Sequence, residues 1–444
     1  MVFMAACKKH ETAKQETFRT TSEPYVSRLL ASAVPPLSDS APVPPLPKNS
    51  TLDQTQGNAS QDDLVSVPRL SGDFAFDLYR TIAAANPEKN IFISPSNARW
   101  ALGMAFAGAS GRTLSEMAAV LDAGSVPKHI YMNGESKRMN SLLVADPKIK
   151  LRIANSLWLK KRFPFKKEFI SSVRQFYRAE VFARDFVQAD VTEVNAWVSR
   201  KTKGKIPSII EGFDRDDRAL LINAVYFKGN WIDQFKKEKT MDEDFHLSSG
   251  KTVKCKLMDR SDSYEYFEGH GLQAVRLPYG NKRLGMVILL PGKSLTLTRL
   301  NNMLTPAFWK EILEGMKGRS GRVRLPRWTL EFTALLNGPL ITMGMELSFD
   351  RLKADFSEMA DAPDPADRLY ITNVLQKTFV EVNEEGTEAA AVTSGAYGRA
   401  TGLHPEPPAP FDFRADHPFL YAITDRLTGE MLFIGALYTV VGRV

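Results

Sequence analysis

Residues 377–419 constrain the fold of this chain more than any other segment. Residues 378–382 read Thr-Phe-Val-Glu-Val, a pattern that predicts a strand. After Gly386 the side chains become small. In an extended segment, one face would carry Thr387, Ala389, Ala391, Thr393 and Gly395. Four prolines follow between Pro405 and Pro410. Because proline has no backbone donor, the first half can join the middle of a sheet and the second half cannot.

The first 66 residues differ in composition from the rest of the chain. Residues 8–66 are rich in Ser, Thr, Pro, Asp and Gln, and six prolines fall between Pro35 and Pro47. Such a segment has too few apolar side chains to form a core, and its prolines favour extended conformations. We therefore predict a disordered tail or tether over residues 1–66 and one folded domain over residues 67–444.

Cys7 ends a short segment, MAAC, that resembles the lipoprotein box of bacterial envelope proteins. An acylated Cys7 behind a proline-rich tether would anchor the domain to the cell envelope. Six residues precede Cys7, which is fewer than the charged and apolar regions of a signal peptide need. The alternative is a disordered tail with an incidental cysteine. The first interpretation predicts a secreted or envelope-attached protein with a lipid anchor.

The composition excludes several classes of protein. With Cys7 and Cys255 as its only cysteines, the chain encodes neither a disulfide scaffold nor a thiolate zinc site. Its six histidines are scattered, and none pairs at metal-ligand spacing. No apolar run reaches the roughly 18 residues of a membrane span. The net charge of +7 is modest, and the basic stretches lack interleaved aromatic residues. We therefore expect solvated basic surfaces rather than a nucleic-acid site.

Hydrophobic periodicity predicts an α+β architecture. Helices are expected over residues 70–84 and 100–109, the second apolar nearly all round and therefore buried. Residues 220–227 are apolar almost throughout, which predicts a strand covered on both faces. Further strands are expected at 90–93, 150–159, 272–277, 284–290, 323–325, 328–332, 419–423 and 430–436. Helices fall mostly in the first half and strands in the second, as in α+β folds.

No catalytic constellation is visible in the sequence. Residues 108–111 do not form a nucleophile elbow, and no phosphate-binding glycine motif occurs. Glu384 and Glu385 are adjacent, so in a strand they would point to opposite faces and could not act as a pair. We therefore expect a protein that is not an enzyme and binds no cofactor.

Seven separated motifs resemble those of the serpin superfamily over about residues 67–441. In chain order they are NIFISP at 90–95, VNAWV at 194–198, TKGKI at 202–206, NAVYFKGNW at 223–231, NEEGTEAAA at 383–391, DHPF at 416–419 and LFIG at 432–435. The resemblance implies a serpin fold of three β-sheets and about nine helices with an exposed reactive-centre loop. It also implies a serine protease as the partner of a monomeric inhibitor.

An inhibitory serpin presents its reactive-centre loop to a serine protease as a suicide substrate. The protease cleaves the loop and forms an acyl-enzyme, and the cut loop enters the central sheet as a new antiparallel strand. The protease is carried to the far pole and its active site is distorted, so the native inhibitor is metastable. The family also implies an alternative, a non-inhibitory serpin that acts as a binding or chaperone-like module.

The loop sequence favours inhibition. By resemblance the hinge comprises Glu384, Glu385, Gly386, Thr387, Glu388, Ala389, Ala390 and Ala391. The hinge residues that must enter the sheet are Thr387, Ala389 and Ala391. They are small and uncharged, so the free-energy cost of burying them is low. The family register places the scissile bond between Ala400 and Thr401, with Arg399–Ala400 and then Tyr397–Gly398 as alternatives. Ala400 suits elastase-like proteases, and Arg399 suits trypsin-like proteases. The loop is about seven residues longer than in familiar members, and we place the extra length after the cut.

Four positions have mechanical roles by resemblance. Three of them, Ser94, Asn223 and Gln376, belong to the shutter beneath the opening strands, and Trp231 belongs to the breach at the top of the central sheet. Two departures from the family pattern occur here: Gln376 replaces a histidine, and residues 97–98 read Asn-Ala instead of Ser-Ile. Because glutamine both donates and accepts hydrogen bonds, we expect a rewired network. Gln376 and the long loop are the features that support the non-inhibitory alternative.

Overall fold

The computed structural model describes residues 73–143, 146, 149–362, 367–387 and 408–440. Nine α-helices and three β-sheets lie within these ranges, which confirms the predicted α+β class. The helices are α1 Asp73–Ala85, α2 Pro95–Gly108, α3 Gly111–Val120, α4 Lys128–Leu143, α5 Lys167–Tyr177, α6 Gln188–Lys201, α7 Leu297–Met303, α8 Pro306–Gly315 and α9 Asn337–Thr342. The strands are β1 Ile91–Ile93, β2 Lys150–Lys160, β3 Glu180–Arg184, β4 Ala219–Asn230, β5 Met241–His246, β6 Thr252–Gly269, β7 Leu272–Pro278, β8 Leu284–Pro291, β9 Lys317–Pro326, β10 Trp328–Leu335, β11 Leu375–Val382, β12 Gly386–Thr387, β13 Phe411–Arg414, β14 Phe419–Asp425 and β15 Met431–Leu437.

Most of the strands belong to one nine-stranded sheet. Its order is β1–β15–β14–β8–β7–β6–β9–β13, and β5 pairs with β6 outside this path. At one end β13 runs parallel to β9, with Phe411 opposite Gly321. A four-stranded sheet has the order β12–β4–β2–β3, and β10 and β11 form a separate two-stranded sheet.

Helix α2 is buried almost all round, as its apolar sequence predicts. Ser94 is its N-cap, and Pro95 occupies the first turn, where a missing N–H breaks no intrahelical hydrogen bond. The helix packs against β4 and β15. Its first turn therefore lies directly beneath the sheet that contains β4.

Strand β4 is covered on both faces, as predicted. Ile222 and Ala224 pack in one cluster with Trp197 of α6. Val225 and Phe227 belong to the main hydrophobic core on the other side. A strand enclosed in this way has only its two edges open to new partners.

The described ranges contain neither a candidate membrane-spanning helix nor a candidate metal site. No helix there is both long and apolar enough to cross a membrane. No three His, Cys, Asp or Glu side chains there are placed to share a metal ion.

Candidate functional site

The candidate site is a gap between strands β4 and β11. Among the described residues no ladder joins these strands, which belong to two different sheets. They run in the same direction, because β12 is antiparallel to β4 and the bridge between Asn383 and Gly386 reverses the chain after β11. At the top of the gap β12 pairs with β4, with Gly386 opposite Asn230 and Thr387 opposite Gly229. Thr387 therefore lies within the gap at its upper end.

Two cavities lie along the gap below β12. The upper one, of about 30 Å³, is lined by Asn97, Asn223 and Gln376 among others. The lower one, of about 40 Å³, is lined by the start of β4 and by residues 369–373 ahead of β11. Each is large enough for about two or three water molecules. The two strands are thus separated both at mid-height and at their lower ends.

Gly386 makes the turn into the gap possible. Its φ of 140° lies in a region that favours glycine. A Cβ at this position would also collide with the backbone of Gly229 and Asn230. Any other residue here would force β12 away from the top of β4.

Thr387 is buried and contacts Tyr279, one of two stacked aromatic residues. Its hydroxyl lies 2.8 Å from that of Tyr279, and one hydrogen bond joins them. Burial raises the pKa of Tyr279 far above its ordinary value, and the bond to Thr387 only partly opposes this shift, so the phenol stays neutral. The indole of Trp231 stacks on Tyr279 with 4.6 Å between ring centroids and donates to the carbonyl of Asn383 at 3.1 Å. These contacts fix the start of the loop against the top of the sheet.

Glu384 is a buried carboxylate at the turn between β11 and β12. It forms an ion pair with Arg327, whose Nε donates to Oε1 at 2.7 Å, and it accepts a hydrogen bond from the hydroxyl of Thr240. Burial is the largest influence on its pKa and acts to raise it, but the donors outweigh burial and the pKa of Glu384 is lowered. Its neighbour Glu385 instead pairs with the exposed Lys237 at 2.6 Å. The assumption that both glutamates lie in a strand was wrong, although they do face different partners.

Gln376 stands where the family pattern has a histidine, and its side chain forms two hydrogen bonds with the backbone of Ser94. Its Nε2 donates to the Ser94 carbonyl at 2.8 Å, and its Oε1 accepts from the Ser94 N–H at 2.9 Å. The Ser94 hydroxyl donates to the carbonyl of Leu432 at 2.6 Å. Asn223 lies apart from this network and donates to Asn155. Among the described residues, the buried Oδ1 atoms of Asn97 and Asn223 have no partner. Both residues line the upper cavity, so each offers it an acceptor.

Polar contacts join the two sides at the lower end of the gap. Thr372 donates to the buried Asp217 at 2.8 Å. Arg218 lies 3.4 Å from Asp367, on the side of β11. Burial raises the pKa of Asp217, although hydrogen bonds from Asp214 and Thr372 act against it. A strand that filled the whole gap would have to pass these contacts.

The remaining predicted site residues lie outside the described ranges. They are Cys7, Glu388, Ala389, Ala390, Ala391, Arg399, Ala400 and Thr401. Sequence reasoning missed Thr240, Tyr279 and Arg327, which hold the turn at the top of the gap. No motif marks them, because each meets the loop from a distant part of the chain.

A family profile described as serpin (serine protease inhibitor) matches residues 69–440. The chain belongs to the serpin family. Among its serpin relatives is a leukocyte elastase inhibitor of Equus caballus, 36% identical over 382 residues, which cover 82% of this chain and 96% of that protein. An uncharacterised serpin-like protein of Thermococcus kodakarensis is 33% identical over 443 residues, which cover 98% of this chain and 96% of the relative.

Solved serpin structures share the fold. The native state of tengpin, a thermophilic serpin, matches with a TM-score of 0.75 and 29% identity over 86% of this chain and 95% of that chain. Thyroxine-binding globulin in complex with thyroxine matches with a TM-score of 0.74 and 26% identity over 84% and 99% of the two chains. One serpin relative is thus named for inhibiting elastase and one structural neighbour binds thyroxine, so membership alone does not establish inhibition.

Proposed function

We propose that this serpin is a suicide-substrate inhibitor of serine endopeptidases with elastase-like or trypsin-like specificity. One observation carries the proposal: the gap between β4 and β11 begins with a short stretch of the loop already paired in it. A cleaved loop could extend this pairing downward as a strand antiparallel to both neighbours.

The two pairing registers agree on where the loop residues would lie. Continuing the β4 register, in which Gly386 faces Asn230, places Thr393 opposite Asn223. Continuing the bridge between Asn383 and Gly386 along β11 places the same Thr393 opposite Gln376. Both facing residues line the upper cavity. The hydroxyl of Thr393 would thus approach the Oδ1 of Asn223, which has no donor among the residues that the structure describes.

The face that the loop would present matches the buried face of β11. In β11 every second residue is buried: Gln376, Thr378, Val380 and Val382. The register puts these opposite the inward set Thr393, Ala391, Ala389 and Thr387. All four inward residues are small and uncharged, so their burial requires no partner for a charge.

The same registers favour Ala400 as the end of the inserted strand. If the strand continued in these registers as far as Ala400, that residue would lie beside Asp216 and Leu369, which both line the lower cavity. We therefore keep the bond between Ala400 and Thr401 as the proposed scissile bond, with Arg399–Ala400 as the alternative. The protease serine oxygen would attack the carbonyl carbon of Ala400, and the bond from that carbon to the Thr401 nitrogen would break. The new amine of Thr401 would leave with a proton from the protease histidine, which leaves an ester at Ala400.

The decisive experiment is incubation with an elastase-like protease and, separately, a trypsin-like protease. We expect a denaturation-resistant adduct on a gel and a released peptide whose mass corresponds to a start at Thr401, or at Ala400 for the alternative bond. The same protease with its catalytic serine replaced by alanine is the control and should give no adduct. Clean cleavage without an adduct for a broad panel of serine proteases would overturn the proposal.

A non-inhibitory binding module is the second candidate. The similarity to the thyroxine complex and the departure at Gln376 support it. Loop cleavage discriminates between the two, because an inserted strand adds hydrogen bonds and buried area and should sharply raise thermal stability. A serpin that cannot insert its loop need not gain stability.

We further propose that the protein is secreted or attached to the cell envelope, with acylated Cys7 as the anchor. The support is the MAAC segment ahead of a proline-rich stretch. Mass spectrometry of the N-terminus from the native host tests this. An unmodified thiol at Cys7 would contradict the anchor.

A further inference from the structure

One buried hydrogen bond links the two segments that lead into the strands bordering the gap. Residues 214–217 form a turn ahead of β4, and residues 371–374 lead into β11. The hydroxyl of Thr372 donates to Asp217 at 2.8 Å, and only 9% of Asp217 is exposed. We call this hydrogen bond the lower link.

Each partner of the lower link is fastened to its own side of the gap. Asp217 accepts a second hydrogen bond from the N–H of Asp214 at 2.8 Å, and its own N–H donates to the Asp214 carbonyl at 3.0 Å. On the other side, Asn337 of α9 donates to the carbonyl of Thr372 and accepts from the N–H of Val374, both at 2.8 Å. Because both ends are fixed, separation of β4 from β11 at this level has to break the lower link.

The other polar contacts described at the lower end are exposed ion pairs. Arg218 pairs with Asp367 at 3.4 Å, and Arg351 pairs with Asp216 at 3.0 Å. The side chain of Asp367 is 47% exposed and that of Arg351 is 53% exposed. Such pairs contribute little to stability because water screens them. The buried lower link therefore has the larger share in holding the lower end closed.

Burial makes the lower link weaker once water enters. The described hydrogen-bond donors to the Asp217 carboxylate are a hydroxyl and a backbone N–H, not a cation. Burial raises the pKa of this carboxyl, and the two hydrogen bonds only partly oppose the shift. As the strands separate, water would reach the carboxylate and restore its hydration, which offsets part of the lost hydrogen bond. The link is therefore stable in the closed sheet and weak in an opening one.

We propose that Asp217 is a positioning residue that holds the lower ends of β4 and β11 together until loop insertion reaches them. The inference rests on the proposed function, because it concerns insertion into the same gap. Insertion would begin at β12, and the lower link would have to break before a strand could fill the lower cavity. This hydrogen bond would then limit the last part of insertion, and a slow last part would give the protease more time to escape.

The test supplies the loop sequence as a separate peptide. A labelled peptide of residues 387–400 is incubated with uncut protein, and its incorporation is followed on a native gel. Thr372→Val removes the hydroxyl and keeps the side-chain shape, so we expect incorporation about tenfold faster, as for the loss of a hydrogen bond to a charged group. Asp217→Asn keeps a weaker acceptor and should be intermediate. Thr372→Ser keeps the hydroxyl, and Asp216→Asn removes only an exposed carboxylate beside Asp217, so both should match the wild type.

The double variant separates this role from a general loss of stability. Asp217→Asn combined with Thr372→Val should be no faster than Thr372→Val alone, because both substitutions act on one hydrogen bond. Additive effects, a wild-type rate in Thr372→Val, or no incorporation in any variant would overturn the lower link. A wild type that forms no covalent adduct with any protease, while Thr372→Val still incorporates the peptide faster, would instead contradict the proposed function.

Discussion

The hydroxyl groups of Thr387 and Tyr279 lie 2.8 Å apart, so the first residue of the loop already occupies an inward position in the sheet. Trp231 closes this position from one side by stacking on Tyr279. The chain enters the gap by way of Gly386, whose backbone only glycine adopts readily. Insertion would therefore continue an existing strand instead of starting a new one.

If the proposed mechanism holds, a charge at this first inward position should turn the protein from an inhibitor into a substrate. Thr387→Arg would place a guanidinium next to Tyr279, where the described contacts of Thr387 include no acidic partner. Burial of such an unpaired charge costs several kcal/mol. We expect cleavage at the wild-type bond but little or no covalent complex on a denaturing gel. Thr387→Val, which keeps the shape and loses only the hydroxyl, should still trap protease. Full trapping by the arginine variant would contradict insertion at this residue.

The hydroxyl of Thr393 should stabilise only the cleaved form. In an inserted strand that continued both registers, Thr393 would lie between Asn223 and Gln376. Among the described residues the Oδ1 of Asn223 has no donor. Thr393→Val should reduce the stability gained on cleavage by about 1–3 kcal/mol, measured by denaturant unfolding of cut and uncut protein. Thr393→Ser keeps the hydroxyl and should behave like the wild type. An equal gain in all three proteins would mean that the loop does not follow these registers.

The two hydrogen bonds between Gln376 and Ser94 should stabilise the uncut protein. Gln376→Leu removes both hydrogen bonds and leaves the buried N–H of Ser94 unpaired, whereas the Ser94 carbonyl keeps its bond from the Ala98 N–H. The unfolding free energy should therefore fall by about 1–3 kcal/mol. Gln376→His tests the residue that the family pattern predicts at this position and should retain more stability than leucine. Urea unfolding of the three proteins makes the comparison. If the leucine variant were as stable as the wild type, these hydrogen bonds would make no net contribution to the free energy of unfolding.

The ion pair of Glu384 should make stability depend on pH in the acid range. Its pKa is lowered from an ordinary value of 4.5, so its contribution is fully present above that pH and is lost as the pH falls through the lowered value. Urea unfolding between pH 7 and pH 3 should show a steeper acid loss in the wild type than in Glu384→Gln. Parallel curves for the two proteins would exclude Glu384 as a source of the acid sensitivity.

His417 should have the opposite dependence. Its Nδ1 faces a carboxylate oxygen of Asp416 at 2.9 Å and its Nε2 faces the carbonyl of Pro291 at 2.8 Å, so both bonds need the protonated ring. Burial acts to lower its pKa, but these two acceptors outweigh burial and the pKa is raised. Its contribution is therefore present below about pH 6.5 and is lost as the pH rises through the raised pKa. NMR titration should give a pKa above 6.5 in the wild type and a lower one in Asp416→Asn. Equal values in the two proteins would contradict the pairing.

The sequence predicted those elements whose apolar pattern is complete within a short window. Helix α2, strand β4 and the alternating β11 were recognised because burial alone determines their residue types. Strands β3, β5, β6 and β13 were missed. They carry charged side chains on an exposed face and are held by neighbours from elsewhere in the chain. A window of local sequence does not contain those neighbours.

The residues of the candidate site also fall into two groups, those that the sequence predicted and those that it did not. The hinge pattern around Gly386 is contiguous, and the family resemblance located it. The residues that hold the hinge are not contiguous: Arg327 is 57 residues from Glu384, and Tyr279 is 108 residues from Thr387. Arg319 donates two hydrogen bonds to the carbonyl of Ala409, ahead of β13, and is 90 residues away from it in the sequence. Only the folded sheet order brings these pairs together.

The stacking of Trp231 on Tyr279 provides the protein with an optical sensor of its own. The indole is buried and donates to Asn383 in the turn that leads to the loop. A rearrangement that pulls this turn deeper into the sheet would change the polarity around the ring and shift its fluorescence. Stopped-flow emission could therefore follow this rearrangement in unlabelled protein, with Trp231→Phe as the reference that reports the other five tryptophans.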